Sequence, residues 1–356
     1  MTDTKPLVRR AGLDALYFSG ANHLLRPLAQ GVGAILMLHR VRPSRSDAFQ
    51  PNKFLEVTPE YLEQAIKWLA RNSYQFVSLD EARERLVERR FDDRFVSITF
   101  DDGFRDNKVW AQPILSKYKV PYTIFIPTDF AEGAGNLWWL ALESIVASHD
   151  RIVLDDRSID CKTTREKIGA YHALKAMVLS QPSHSEEEAF IGRLARRNDH
   201  DQHAATRAAC MNWDEIRALS ADPLIAIGAH TVSHPILAKA SDADVRAELT
   251  ECRDILEQKL QKNVCHLAYP FGSADAVGAR EFRIASEVGY QTAVTTRTGV
   301  VMPADVGRLL QLPRITIDGT FQRERYLEIL VSGVASAIWN GLRRASQLGA
   351  RRPTWA

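Results

Sequence analysis

Ser97-Ile98-Thr99-Phe100-Asp101-Asp102-Gly103 is the stretch whose reading decides the fold. It reads as an apolar strand that stops at two adjacent carboxylates and a glycine. Six other short apolar runs recur, at 34–38, 122–126, 224–227, 264–268, 292–294 and 312–317. Most are separated by helical patterns. Thr58-Pro59-Glu60-Tyr61 gives an N-cap, a proline at the first helical position and an acidic first turn, followed by Leu62, Ile66 and Leu69 at helical spacing. Residues 80–87, 107–118, 242–260 and 275–288 also predict helices. Strands alternating with helices indicate a parallel sheet or a β/α barrel. In such barrels reactive groups collect at the carboxyl ends of strands, where Asp101 and Asp102 fall.

One stretch breaks this rhythm. Residues 136–219 are charge-rich and helix-like, with no buried strand expected, and read as an insertion between two strands. The expected organisation is an N-terminal extension (1–32), a barrel region (33–320) holding that insertion, and a C-terminal helix with a basic tail (321–356).

The 356 residues are 45% hydrophobic and 25% charged, which excludes a disordered or fibrous chain. Lys plus Arg is 46 against 44 Asp plus Glu, a net charge of +2, so nucleic acid is not expected as a partner. Arg343, Arg344, Arg351 and Arg352 concentrate positive charge at the C-terminal end. That segment serves either solubility or weak contact with an anionic membrane surface. An amphipathic helix is expected over 330–348, with Trp339, packed on the barrel or touching a membrane. Cys161, Cys210, Cys252 and Cys265 form no C-x-x-C pair and read as free thiols of a reducing compartment. Asp14, Asn22, His23, Arg26 and Pro27 interrupt the N-terminal apolar residues, so neither a signal peptide nor a spanning helix is expected. A cytoplasmic location, peripheral to the inner face of the membrane, follows as an expectation.

Two carboxylates as close as Asp101 and Asp102 stay ionised together only if a positive group divides their roles. A metal does this when one Asp ligates it and the other remains a free base. His230-Thr231-Val232-Ser233-His234 supplies a second metal-ligand pattern, two histidines at i and i+4 expected on one face of a helical turn. The pair follows the run at 224–227, so it too stands at the end of a strand.

The order Thr-Phe-Asp-Asp-Gly (99–103) then His-Thr-Val-Ser-His (230–234) resembles the polysaccharide deacetylases, the carbohydrate esterases that include chitooligosaccharide deacetylases. The resemblance runs from about residue 34 to 317 and is weakest in the insertion. It implies an α/β fold, an irregular (β/α)7 barrel with a helical insertion. It implies Asp101 as catalytic base and Asp102, His230 and His234 as ligands of a divalent metal, Zn²⁺ foremost, with Co²⁺ or Ni²⁺ tolerated by the same set. The implied substrate is an N-acetylated amino sugar, hydrolysed to acetate and an amine.

Two departures from the family pattern stand out. The third motif is His266-Leu267-Ala268-Tyr269-Pro270-Phe271-Gly272, which keeps the turn but lacks the preceding arginine. By resemblance the Phe271 N–H helps hold an oxyanion beside Tyr269, and the missing arginine would have paired with Asp101. Arg314 either replaces it or makes an ordinary ion pair, and His266, inside its strand, reads as structural. The late Leu-x-His that supplies the general acid is also absent, and no histidine follows His266. Leu38-His39 ends the first apolar run and resembles the permuted members, in which the first strand supplies the acid; elimination among the ten histidines also leaves His39. Trp138 and Trp139 read as core rather than as a sugar platform. Two alternatives remain at this point: an amidohydrolase of the same fold acting on a small non-sugar amide, and a non-catalytic carbohydrate-binding protein.

Overall fold

The computed structural model describes residues 5–155 and 157–350. Arg351 and Arg352 of the basic tail lie outside these residues, and Arg343 and Arg344 are described only as helical backbone. Seven parallel strands close into a barrel: β1 (Gly33–Leu38), β2 (Phe95–Phe100), β3 (Tyr122–Ile126), β4 (Ile225–Ala229), β5 (His266–Ala268), β6 (Thr292–Thr298) and β7 (Leu312–Thr316). They follow one another around the wall in chain order, and β1 closes the ring by pairing with both β2 and β7. A short strand, Gln75–Phe76, adds to the outer edge of β2. The expected irregular (β/α)7 barrel is the fold observed.

The strands are buried on both faces, which is why they read as near-continuous apolar runs. Outward residues such as Leu36, Ile98 and Ile124 pack under the helices, while Ile35, Phe95 and Phe125 fill the barrel interior. The helix Pro59–Arg71 begins as its sequence predicts, with Thr58 Oγ1 accepting from the Tyr61 N–H. The helix Asp242–Leu260 also has the expected bounds. At 107–118 the helix opens with a π turn, Asn107–Ala111, before Gln112–Lys117.

The insertion leaves the barrel after β3 and returns at β4. It contains the helices Trp138–Ser148, Thr164–Leu179, His184–Arg197, Ala204–Ala209 and Trp213–Ser220. It also contains an antiparallel hairpin, Arg151–Leu154 with Arg157–Asp160, where no buried strand was expected. The hairpin escaped the sequence reading because only one face is covered: Ile152 is buried, while Arg151, Val153, Arg157 and Ser158 are exposed. The insertion has its own apolar core, and Phe49, Phe104 and Phe130 of the barrel region join it. Buried Asn52 fastens the two together. Its amide donates to the Trp139 carbonyl (2.9 Å) and to Glu143 (2.8 Å), and its carbonyl accepts from the Tyr171 hydroxyl (2.8 Å).

The expected continuous helix over 330–348 is two helices, Glu324–Val331 and Val334–Ala350, parted at Gly333 with φ +79°. The N-terminal extension forms the helices Lys5–Phe18 and Ala21–Ala29, which pack against that C-terminal pair. None of the described helices is long and apolar enough to cross a membrane.

Asn52→Ala should destabilise the protein by about 2–3 kcal/mol, because it leaves a buried carboxylate, carbonyl and hydroxyl without their partner. Urea denaturation followed by circular dichroism measures the loss; an unchanged midpoint would show that the insertion is not fastened through this residue.

Candidate active site and metal centre

The strand ends at the carboxyl rim of the barrel carry an unusual backbone. Asp102, Thr231, His234 and Phe271 all have φ between +60° and +70°, a region that non-glycine residues seldom enter. Such strain persists only where surrounding contacts impose it, and it concentrates at functional sites. At β2 those contacts come partly from the returning insertion: the Met211 N–H donates to the Gly103 carbonyl (3.0 Å). Gly103, φ +64°, has no room for a side chain, since a Cβ would lie 2.8 Å from Ile126 Cδ1.

Asp102, His230 and His234 converge. Asp102 Oδ1 lies 3.5 Å from His230 Nε2 and 3.4 Å from His234 Nε2, and all three residues are buried. A tetrahedral ion with bonds of about 2.0–2.1 Å holds its ligand atoms about 3.3 Å apart, so the three fit one divalent metal. His230 Nδ1–H donates to the Ala268 carbonyl (2.6 Å), which leaves Nε2 as the ligating nitrogen. Burial pushes the His234 pKa down to about 3 against the opposing charge of Asp102, favouring the neutral imidazole that metals bind.

The two histidines do not share a helical turn, as their spacing suggested. Residues 230–234 form an irregular loop in which the His234 N–H donates to Thr231 Oγ1 (3.1 Å). Glu248 holds the loop from below, accepting from the Val232 N–H (2.7 Å), the Ser233 N–H (3.0 Å) and Ser233 Oγ (2.6 Å). The His234 ring is enclosed by Phe130, Trp139 and Phe271, with ring centroids 5.6, 5.3 and 5.2 Å away. Trp138 and Trp139 are core residues as expected, yet Trp139 also packs on His234. The sequence reading missed that contact and Glu248; the tryptophan doublet was its only visible signal.

Asp101 points at Arg314. The guanidinium meets the carboxylate with two bonds, Nη1 to Oδ1 and Nη2 to Oδ2, each 2.7 Å. Arg314 is wholly buried; its Nε donates to the Thr295 carbonyl (3.0 Å) and Nη1 also reaches Thr99 Oγ1 (3.2 Å). Burial would raise the Asp101 pKa, but the Arg314 charge, with those of His230 and His39, holds it below the usual carboxylate range. Asp102 follows the same pattern: burial is outweighed by the His230 hydrogen bond and the charges of His234 and His39.

His39 follows β1 directly. The Asp101 N–H donates to the Leu38 carbonyl (3.0 Å), so His39 stands beside Asp101 at the same rim. The Phe271 N–H faces the same end of the barrel, and among the described residues nothing accepts a hydrogen bond from it. Tyr269 is a correction to the expected site. Its ring is buried among the helices against Phe282 and its hydroxyl donates to the Leu310 carbonyl (3.0 Å), so its side chain does not reach the cluster. His266 lies at the start of β5, bonded to Thr292 Oγ1 (2.8 Å) and near Asp80 (3.2 Å), away from the rim.

Arg314→Met should cost about 3–5 kcal/mol, since it strands a buried carboxylate. Asp101 has a depressed pKa in the fold, so its contribution is complete above the unfolded value of about 3.9 and is lost as pH falls through the folded value. The stability gap between wild type and variant should therefore be widest near neutral pH and narrow below about pH 4. Denaturant titrations across pH measure it; a gap that does not change with pH would mean that the pair contributes only packing.

The polysaccharide deacetylase family model matches residues 189–293, which include the His230–His234 loop and the Tyr-Pro-Phe-Gly turn. The poly-beta-1,6-N-acetyl-D-glucosamine N-deacetylase of Escherichia coli (strain K12) is 21% identical over 290 residues, 78% of this chain and 35% of that protein. The Staphylococcus aureus (strain N315) protein of the same description is 38% identical over 78 residues, 21% of this chain and 26% of its own length. The chain thus spans about a third or less of these curated relatives. Among solved structures, the Streptococcus pyogenes deacetylase PplD in complex with acetate aligns with a TM-score of 0.57 at 21% identity, covering 83% of this chain and 97% of that one. IcaB from Ammonifex degensii aligns at 0.55 and 17%, covering 85% and 97%. These likenesses share the barrel, and the segment matched by the family model spans the His230–His234 loop that converges with Asp102. Residues 189–293 thus match the polysaccharide deacetylase family, and the barrel that carries them is shared with solved deacetylases.

Proposed function

We propose that this protein is a metal-dependent hydrolase that removes N-acetyl groups from an amino-sugar glycan and releases acetate. The observation that carries the reading is the meeting of a three-ligand cluster, Asp102, His230 and His234, with a carboxylate held separately by Arg314. The curated relatives are named as N-deacetylases of an N-acetylglucosamine polymer, which supports the substrate class. A groove of about 570 Å³ between the barrel region and the insertion is lined by Arg40, Arg45, Asp47, Glu56, Glu143 and Lys167, and the cluster residues do not line it.

Asp102, His230 and His234 would hold a divalent ion, Zn²⁺ foremost. Bound there, such an ion polarises the amide carbonyl and makes water more acidic. Asp101 accepts a proton from the attacking water. Arg314 occupies one lone pair on each Asp101 oxygen, and the remaining pairs stay available. As water's oxygen bonds to the acetyl carbon, the carbonyl oxygen gains negative charge and the Phe271 N–H donates to it. His39 gives a proton to the nitrogen as the C–N bond breaks, leaving acetate and a sugar amine.

Asp101→Asn should keep the metal and lose turnover by about 10²–10⁴-fold, whereas Asp102→Asn and His234→Ala should lose the metal as well. Metal analysis of dialysed protein, with acetate release from N-acetylglucosamine oligomers, separates these outcomes; equal metal loss in Asp101→Asn and Asp102→Asn would end the division of roles.

His39→Ala should retain metal and fold while losing about 10²–10⁴-fold in amide hydrolysis. The loss should be smallest on an activated aryl ester, whose leaving group needs no proton. Equal losses on amide and ester would remove His39 from the acid role.

A further inference from the structure

The two ends of the chain meet on one wall of the barrel. Helix Ala21–Ala29 packs on helix Val334–Ala350, and helix Lys5–Phe18 on helix Glu324–Val331. The junction is close. Buried Asn22 accepts from Ser332 Oγ (2.6 Å), and a Cβ at Gly333 would lie 2.2 Å from the Ala29 carbonyl oxygen.

The outward sides of these helices are apolar. Leu24 is 79% and Leu28 84% exposed, one turn apart on helix Ala21–Ala29. Trp339 is 52% and Leu342 67% exposed on the helix that touches it. Phe18 and Leu7 are likewise exposed on the first helix. Single exposed leucines are ordinary, but several large exposed apolar side chains on helices packed against each other mark an interaction surface.

Charge selects that partner. Helices Ala21–Ala29 and Val334–Ala350 contain Arg26, Arg343 and Arg344 and no carboxylate. Asp14 of the first helix is held by Arg325 at 2.9 Å. Residues 1–30 and 334–356 together carry eight Lys or Arg and two acids in a chain of net charge +2, so the remainder is net negative. A second copy would set this positive region against itself. Apolar side chains with an interfacial tryptophan, on two helices whose charged residues are all arginine, match an anionic lipid surface, and the neighbouring carboxylate of Glu328 is turned to His23, 3.6 Å away.

We propose that the face built from helices Ala21–Ala29 and Val334–Ala350 docks this protein on an anionic lipid bilayer. The docking is independent of the reaction assigned to the barrel, because none of its residues belongs to that site.

The full chain is sedimented with vesicles of phosphatidylcholine alone and with vesicles containing one-third phosphatidylglycerol. Binding should be at least roughly tenfold stronger to the anionic vesicles and should weaken with added salt. Leu24→Ser/Leu28→Ser/Trp339→Ser should reduce binding by roughly tenfold or more while circular dichroism and bound metal stay unchanged. Arg26→Glu/Arg343→Glu/Arg344→Glu should reduce binding to the anionic vesicles and leave the weak binding to phosphatidylcholine unaltered. Wild-type protein that remains in the supernatant with both vesicles overturns the proposal. So does a triple variant that binds like wild type. A concentration-dependent dimer abolished by the triple variant, without vesicle binding, would also overturn it and assign the face to self-association.

Discussion

Arg314 crosses the barrel interior from β7 to hold Asp101 at the end of β2 with two 2.7 Å hydrogen bonds, and both groups are buried. A buried carboxylate without that guanidinium would take up a proton, and Asp101 could no longer serve as a base. The same pair separates the roles of two adjacent aspartates. Asp101 is directed to an arginine, and Asp102, turned aside by its left-handed backbone, is directed to two histidines. Two carboxylates that would otherwise repel each acquire their own positive or proton-bearing neighbour. The arginine has little freedom to leave, because Thr295 and Thr99 engage two more of its N–H groups.

The rest of the rim serves to hold that division in place. Glu248 anchors the histidine loop through three hydrogen bonds, and the Ala268 carbonyl sets the proton position of His230. Trp139 and the Met211 N–H come from the two ends of the insertion, so the insertion braces the rim as well as walling the groove. Much of this bracing therefore comes from outside the barrel strands, although the proposed ligands and base all stand at strand ends.

The barrel was legible because its strands are buried on both sides and carry unbroken apolar runs; the strand expected at 122–126 has those bounds in the structure. Asp102, His230 and His234 were legible because their types and local spacing carry chemistry. The conformation of the histidine pair was not, since i and i+4 fits a helical turn and this loop equally. Thr231 and His234 take positive φ on either side of Val232 and Ser233, which Glu248, outside the motif, holds by hydrogen bonds. Whether Arg314 pairs with Asp101 was equally undecidable from local pattern, because the two lie 213 residues apart and meet only when the barrel closes. Tyr269 misled because strand alternation sends its ring outward to the helices while its neighbour Phe271, after the turn, faces His234.

Barrel closure also explains how the site tolerates two departures from the family pattern. β1 pairs with β2 on one side and β7 on the other, so the first and last strands of the chain are neighbours at the rim. A group at the end of either strand can face Asp101, which stands on β2. Arg314 reaches Asp101 from β7, the pairing that the resemblance assigns to an arginine absent before the turn after β5. His39 stands beside Asp101 from β1, where a proton donor is needed if no late histidine exists. In a closed ring, chemical position depends on which strand ends face one another rather than on order in the sequence. The groups proposed for the site can therefore sit on different strands while facing the same carboxylate, Asp101.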